Sequence, residues 1–142
     1  MANETMQWPN PGLGSVGSYQ MGGIPYATAS LTVPISSSSP LKIQFPYVTK
    51  FVTVSNENTG TNVQMRVGFS INGVSGSGTN WFLLDNGESY TGEWRIEDLY
   101  LISNSTSQTS ASIIAGLTFI PRGIPAFGAS SGNNWSGSSG VG

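Results

Sequence analysis

Residues 63–70 alternate apolar and polar side chains, with Val63, Met65, Val67 and Phe69 on one parity and Gln64, Arg66 and Ser70 on the other. Only Gly68 breaks the pattern. A period of two lines up one face of an extended chain, whereas a helix would scatter the same residues around its axis. The pattern recurs along the chain. Leu31 and Val33 oppose Thr28, Ser30 and Thr32, and Leu41, Ile43 and Phe45 alternate with Lys42 and Gln44. Val48, Phe51, Val52 and Val54 follow Pro46, as two short strands or one bent strand. Trp81-Phe82-Leu83-Leu84 is a compact apolar run, and Tyr90, Gly92, Trp94 and Ile96 share one parity. Leu99 and Leu101 begin another strand, and Ser112 to Ile120 forms the last before Pro121.

Turn chemistry separates these runs. Pro34 with Ser36 to Ser39, Asn56-Glu57-Asn58-Thr59-Gly60, Asn72-Gly73 with Ser75-Gly76-Ser77-Gly78, Asp85-Asn86-Gly87 and Asn104 to Ser110 all favour reversals or loops. No segment carries a helical stripe. About eight strands at intervals of roughly 8–12 residues predict an all-β, antiparallel eight-stranded β-sandwich, with a single jelly-roll as the expected arrangement. Spacing does not give strand order, so an immunoglobulin-like sandwich fits the same pattern.

The flanks differ from this centre. Residues 1–20 read as an N-terminal arm, because Trp8-Pro9-Asn10-Pro11-Gly12 suits neither helix nor central strand. Residues 21–122 form the sandwich domain. Residues 123–142 are a second arm, Gly/Ser-rich beyond Phe127. The isolated apolar residues of the arms, Trp8, Pro9, Leu13, Phe127 and Trp135, are expected to be anchors on a neighbouring surface, the usual role of buried aromatics at interfaces.

Composition narrows the function. The chain has no His, no Cys, five basic and seven acidic residues in 142. Charge is 8%, against about 25% in an average domain. A free monomer normally uses charge for solubility and to guard its sheet edges. Its scarcity argues for a surface covered by other protein, with a neutral extracellular β protein as the alternative. Without His or Cys, catalysis would fall to carboxylates, and the pairs are Asp85/Glu88 and Glu97/Asp98. Both lie at turns or strand junctions, where acids are common for solvation, so no enzyme, metal or cofactor is expected. The first basic residue is Lys42 and the last is Arg122, so neither arm can neutralise phosphates and no direct nucleic-acid binding is expected. No apolar run is long enough for a membrane-spanning segment, and Met1-Ala2-Asn3-Glu4-Thr5 has no features of a secretory signal.

Several phrases carry a resemblance. Phe45-Pro46-Tyr47-Val48-Thr49-Lys50-Phe51-Val52-Thr53-Val54-Ser55-Asn56 leads into Arg66-Val67-Gly68-Phe69-Ser70-Ile71-Asn72-Gly73-Val74. Asn80 to Leu84, Glu97-Asp98-Leu99-Tyr100-Leu101 and Ala115 to Pro121 follow. Together, over roughly residues 22–122, they resemble small single-jelly-roll capsid proteins of large icosahedral double-stranded DNA viruses, in particular the penton of the five-fold vertices. The resemblance implies a structural virion protein, homo-oligomeric as a pentamer, placed among neighbouring major and minor capsid proteins after assembly in the host-cell cytoplasm. It implies no catalytic residues. A phage capsid decoration or cement protein, and a carbohydrate-binding lectin-like module suggested by four Trp and five Tyr, are the alternatives.

Overall fold

The computed structural model describes residues 23–122. Eight strands run in chain order as β1 (Ile24–Val33), β2 (Leu41–Gln44), β3 (Tyr47–Asn56), β4 (Met65–Gly68), β5 (Trp81–Leu84), β6 (Ser89–Gly92), β7 (Asp98–Ser103) and β8 (Thr109–Pro121). They form two four-stranded sheets, ordered β1-β8-β3-β6 and β2-β7-β4-β5. Every pairing is antiparallel. The strands pair first with last: β1 with β8, β2 with β7, β3 with β6 and β4 with β5. Such nesting is a long antiparallel ribbon folded over on itself, closed by β8 against β3 and β7 against β4. Each connection except β4 to β5 therefore crosses from one sheet to the other. An immunoglobulin order would place the first strand beside the second. Here β1 and β2 lie in different sheets, which removes that alternative.

The alternation read from the sequence is the inward face. Val52 and Val54 of β3 and Ile113, Ala115 and Leu117 of β8 pack against Met65 and Val67 of β4 and Leu99 and Leu101 of β7, all fully or almost fully buried. Each large aliphatic side chain here contributes about 1.5–3 kcal/mol of hydrophobic stabilisation. The thirteen-residue β8 is the spine of its sheet, paired on both sides. Its partner β1 carries a bulge between Thr28 and Leu31, where Ser30 takes a positive φ of 56°.

Strand β7 is buried along its whole length. Its inward residues belong to the main core, but its outward ones, Tyr100 and Ile102, are covered too. The cover is α1 (Ile71–Val74), a single helical turn within the β4–β5 connection. This corrects the expectation of a simple turn at Asn72-Gly73 and of no helix. Ser70 caps the turn by accepting from the Gly73 amide at 3.0 Å, and Val74 packs on Tyr100, Ile102 and Trp81 as a second small core. Arg66 fixes the excursion from below. Its Nη1 donates to the Val74 carbonyl at 3.1 Å, its Nε to Asn104 Oδ1 at 2.7 Å, and its guanidinium lies 4.6 Å from the Trp81 ring centroid. No helix of the described residues is long and apolar enough to cross a membrane.

Candidate functional site

Three features stand out on this frame. The first is the acidic step Glu97-Asp98, read from sequence as a solvated junction. The Asp98 side chain has no solvent exposure, and that of Glu97 has 4%. The reason is Arg122, which lies at the end of β8 and returns over the β2–β3 corner. Its Nη2 donates to Asp98 Oδ1 at 3.0 Å, and its Nη1 to the carbonyls of Phe45 at 2.6 Å and Glu97 at 2.9 Å. Its Nε lies 3.8 Å from Glu97 Oε1, and Lys42 Nζ lies 3.8 Å from Asp98 Oδ2. Two carboxylates and two cations thus close the corner, and the acids are engaged in structure. Among the described residues no three acidic side chains are grouped to hold a metal ion.

Tyr100 stands beside this cluster. Burial first, and the nearby Asp98 carboxylate second, push its phenol above the usual tyrosine range, while Arg122 pulls the other way. The unfolded chain releases this proton first as pH rises past about 10. Stability contributed by the neutral phenol is therefore complete below that pH and lost above it. Tyr100→Phe is expected to flatten the decline in urea midpoint between about pH 9 and pH 11. An equal decline in both proteins would show that the phenol is not the group being titrated.

The second feature is the outer face of the β1-β8-β3-β6 sheet. Strand register sets the outward rows as Pro25–Gly116–Phe51, Ala27–Ile114–Thr53–Thr91 and Ser112–Ser55–Ser89. None of these positions is charged. Ile114 is 55% exposed at the centre of the face. The Phe51 ring lies flat on Gly116, where a Cβ would approach its Cε1 to 2.4 Å. Thr53 and Thr91 share a 2.7 Å hydroxyl hydrogen bond across β3 and β6. The two sheets therefore differ outside: one is covered by its own β4–β5 excursion, and the other presents rows of uncharged side chains, with the Glu57 carboxylate at one end accepting from Ser112 Oγ at 2.7 Å.

The third feature is an aromatic edge where β5 and β6 terminate their sheets. Phe82, Tyr90, Trp94 and Phe69 meet there, with ring centroids 4.8–6.1 Å apart. Trp81 and Trp94, read from sequence as parts of strands, are only partly buried, and Trp94 lies beyond the end of β6. The arm residues Trp8, Pro9, Leu13, Phe127 and Trp135 lie outside the described residues. No protein-family model matches the chain, and no curated protein matches it.

Proposed function

We propose that the chain is a structural subunit of a virion shell, a single jelly-roll whose copies pack side by side as the pentameric penton of an icosahedral capsid. The observation that carries this reading is the three uncharged outward rows of the β1-β8-β3-β6 sheet, with Glu57 only at their end. Rows without ions can be covered by protein without the cost of desolvating unpaired charge, which is several kcal/mol per ion. The nesting of eight strands first with last in two facing sheets supports the jelly-roll reading, and with it the capsid resemblance. Identical subunits in a ring use a heterologous contact, so one face of each copy meets a different face of the next. In this reading Trp8, Pro9, Leu13, Phe127 and Trp135 anchor the arms on adjacent capsomers.

The test is the mass of the full chain in solution by light scattering. The reading expects five times 14.9 kDa. A trimer would favour a decoration or cement protein instead. The face itself is tested by Ile114→Lys. Ile114 is more than half exposed, so stability should change by less than about 0.5 kcal/mol, as for ordinary surface changes, while the oligomer is lost. An Ile114→Lys protein of unchanged mass would remove this face from the interface.

A further inference from the structure

The two open edges of the sandwich are closed differently. At the β1–β2 edge, Tyr26 meets a fully buried Phe45 edge-on at 5.2 Å, which completes the core. At the β5–β6 edge the aromatic side chains are left partly open. Phe82 is opposite Val67 and Tyr90 is opposite Val54, so both point between the sheets. Tyr90 nevertheless remains 51% exposed. It stacks on Trp94 at 5.8 Å and 16°, and the indole in turn lies on Gly92, where a Cβ would come within 2.1 Å. Beside these rings is a depression of about 290 Å³ lined by Val67, Phe69, Thr79, Asn80, Trp81 and Phe82. It has no charged lining residue.

An aromatic-lined, uncharged groove suits a polyproline-type strand. Proline rings seat between aromatic ridges, and a backbone already fixed by proline has little conformational entropy left to lose. The chain carries one segment of this chemistry: Gln7-Trp8-Pro9-Asn10-Pro11-Gly12-Leu13. Proline fixes its own φ and disfavours helix in the residue before it, and here Pro9 and Pro11 follow Trp8 and Asn10. The segment has no charge and places an indole beside the first proline. The twelve residue-to-residue steps from Pro11 to Gly23 span up to about 40 Å, against a radius of gyration of about 13 Å for a domain of this size. That length is about three such radii, enough to cross the domain from one edge to the other. We propose that residues 7–13 dock in extended form across the β5–β6 groove, with Trp8, Pro9 and Pro11 against the Phe69, Phe82 and Tyr90 rings. Supply of the segment by an adjacent copy rests on the shell reading above, whereas the docking itself does not.

The test uses the full chain carrying Trp8→Ser, Pro9→Ser and Pro11→Ser, so that its own segment does not compete. A fluorescein-labelled peptide of residues 7–13 is titrated with it and followed by anisotropy. Saturable binding is expected. Tyr90→Ser and Thr79→Arg, at exposed positions, should each weaken it about tenfold, the loss of one interface anchor. A peptide with both prolines replaced by alanine should also bind more weakly. Absence of saturable binding, or binding indifferent to both receptor changes in proteins of unaltered melting temperature, overturns the proposal. So does a glycan-array signal abolished by Tyr90→Ser with no peptide binding, which would assign the groove to a sugar. Peptide binding by a chain that stays monomeric would uphold the docking and count against the shell reading alone.

Discussion

Arg122→Met is expected to cost about 3 kcal/mol, which lowers the melting temperature of a domain this size by roughly 12–20 °C. The figure is the lower end for breaking a buried ion pair, because the Arg122 side chain is still 32% exposed. What makes it large is the state of the acids left behind. Asp98 has no exposure, and its remaining cation, Lys42, is 40% exposed and 3.8 Å away. Two backbone carbonyls, Phe45 and Glu97, lose their guanidinium donor at the same time. Lys42→Met should behave as a surface pair and cost about 0–1 kcal/mol. Adding Asp98→Asn to Arg122→Met should recover part of the loss, because a neutral amide depends less than a buried carboxylate on the missing guanidinium. Thermal unfolding of the four proteins decides it. If Arg122→Met falls no further than Lys42→Met, the corner is an ordinary surface ion pair.

The strands were legible because period-two patterning depends only on neighbouring residues. The eight segments and the inward face of β4 follow from it, while the Asp85-Asn86-Gly87 reversal follows from turn chemistry, and Gly87 does take a positive φ of 76°. The parts that were not legible depend on distant residues. Glu97-Asp98 reads as solvated because its partner Arg122 is 24 residues from Asp98, and no local pattern connects them. The helical turn at Ile71–Val74 is too short to show a stripe. Its burial comes from Tyr100 and Ile102, on a strand far along the chain. Trp94 keeps the parity of Tyr90 and Gly92, yet β6 stops at Gly92 because the indole folds back onto that glycine. The aromatic edge was visible as a count of Trp and Tyr but not as a place, because β5 and β6 belong to different sheets.

Asn56→Asp is expected to be more damaging still, at about 4 kcal/mol or more. From sequence Asn56 reads as the first residue of a turn, but it is fully buried. Its amide uses its full hydrogen-bonding capacity: Nδ2 donates to the carbonyls of Val63 at 2.8 Å and Leu84 at 3.0 Å, and Oδ1 accepts from Thr109 Oγ1 at 2.7 Å and the Asn58 amide at 3.2 Å. Asn56 ends β3 and Thr109 starts β8 in one sheet, while Leu84 ends β5 and Val63 precedes β4 in the other. One side chain therefore joins the two sheets at one end of the sandwich. Aspartate keeps the shape and both accepted bonds but turns an oxygen towards two carbonyls. Each carbonyl left without a donor costs about 1–3 kcal/mol, and the buried negative charge adds to that. Thr109→Val removes one donor to a shared oxygen and should cost about 1 kcal/mol. Urea unfolding with an unchanged slope should rank Asn56→Asp well below Thr109→Val in midpoint. Equal midpoints would mean that the inter-sheet hydrogen bonds of Asn56 are replaceable, and that the sandwich end is held by packing alone.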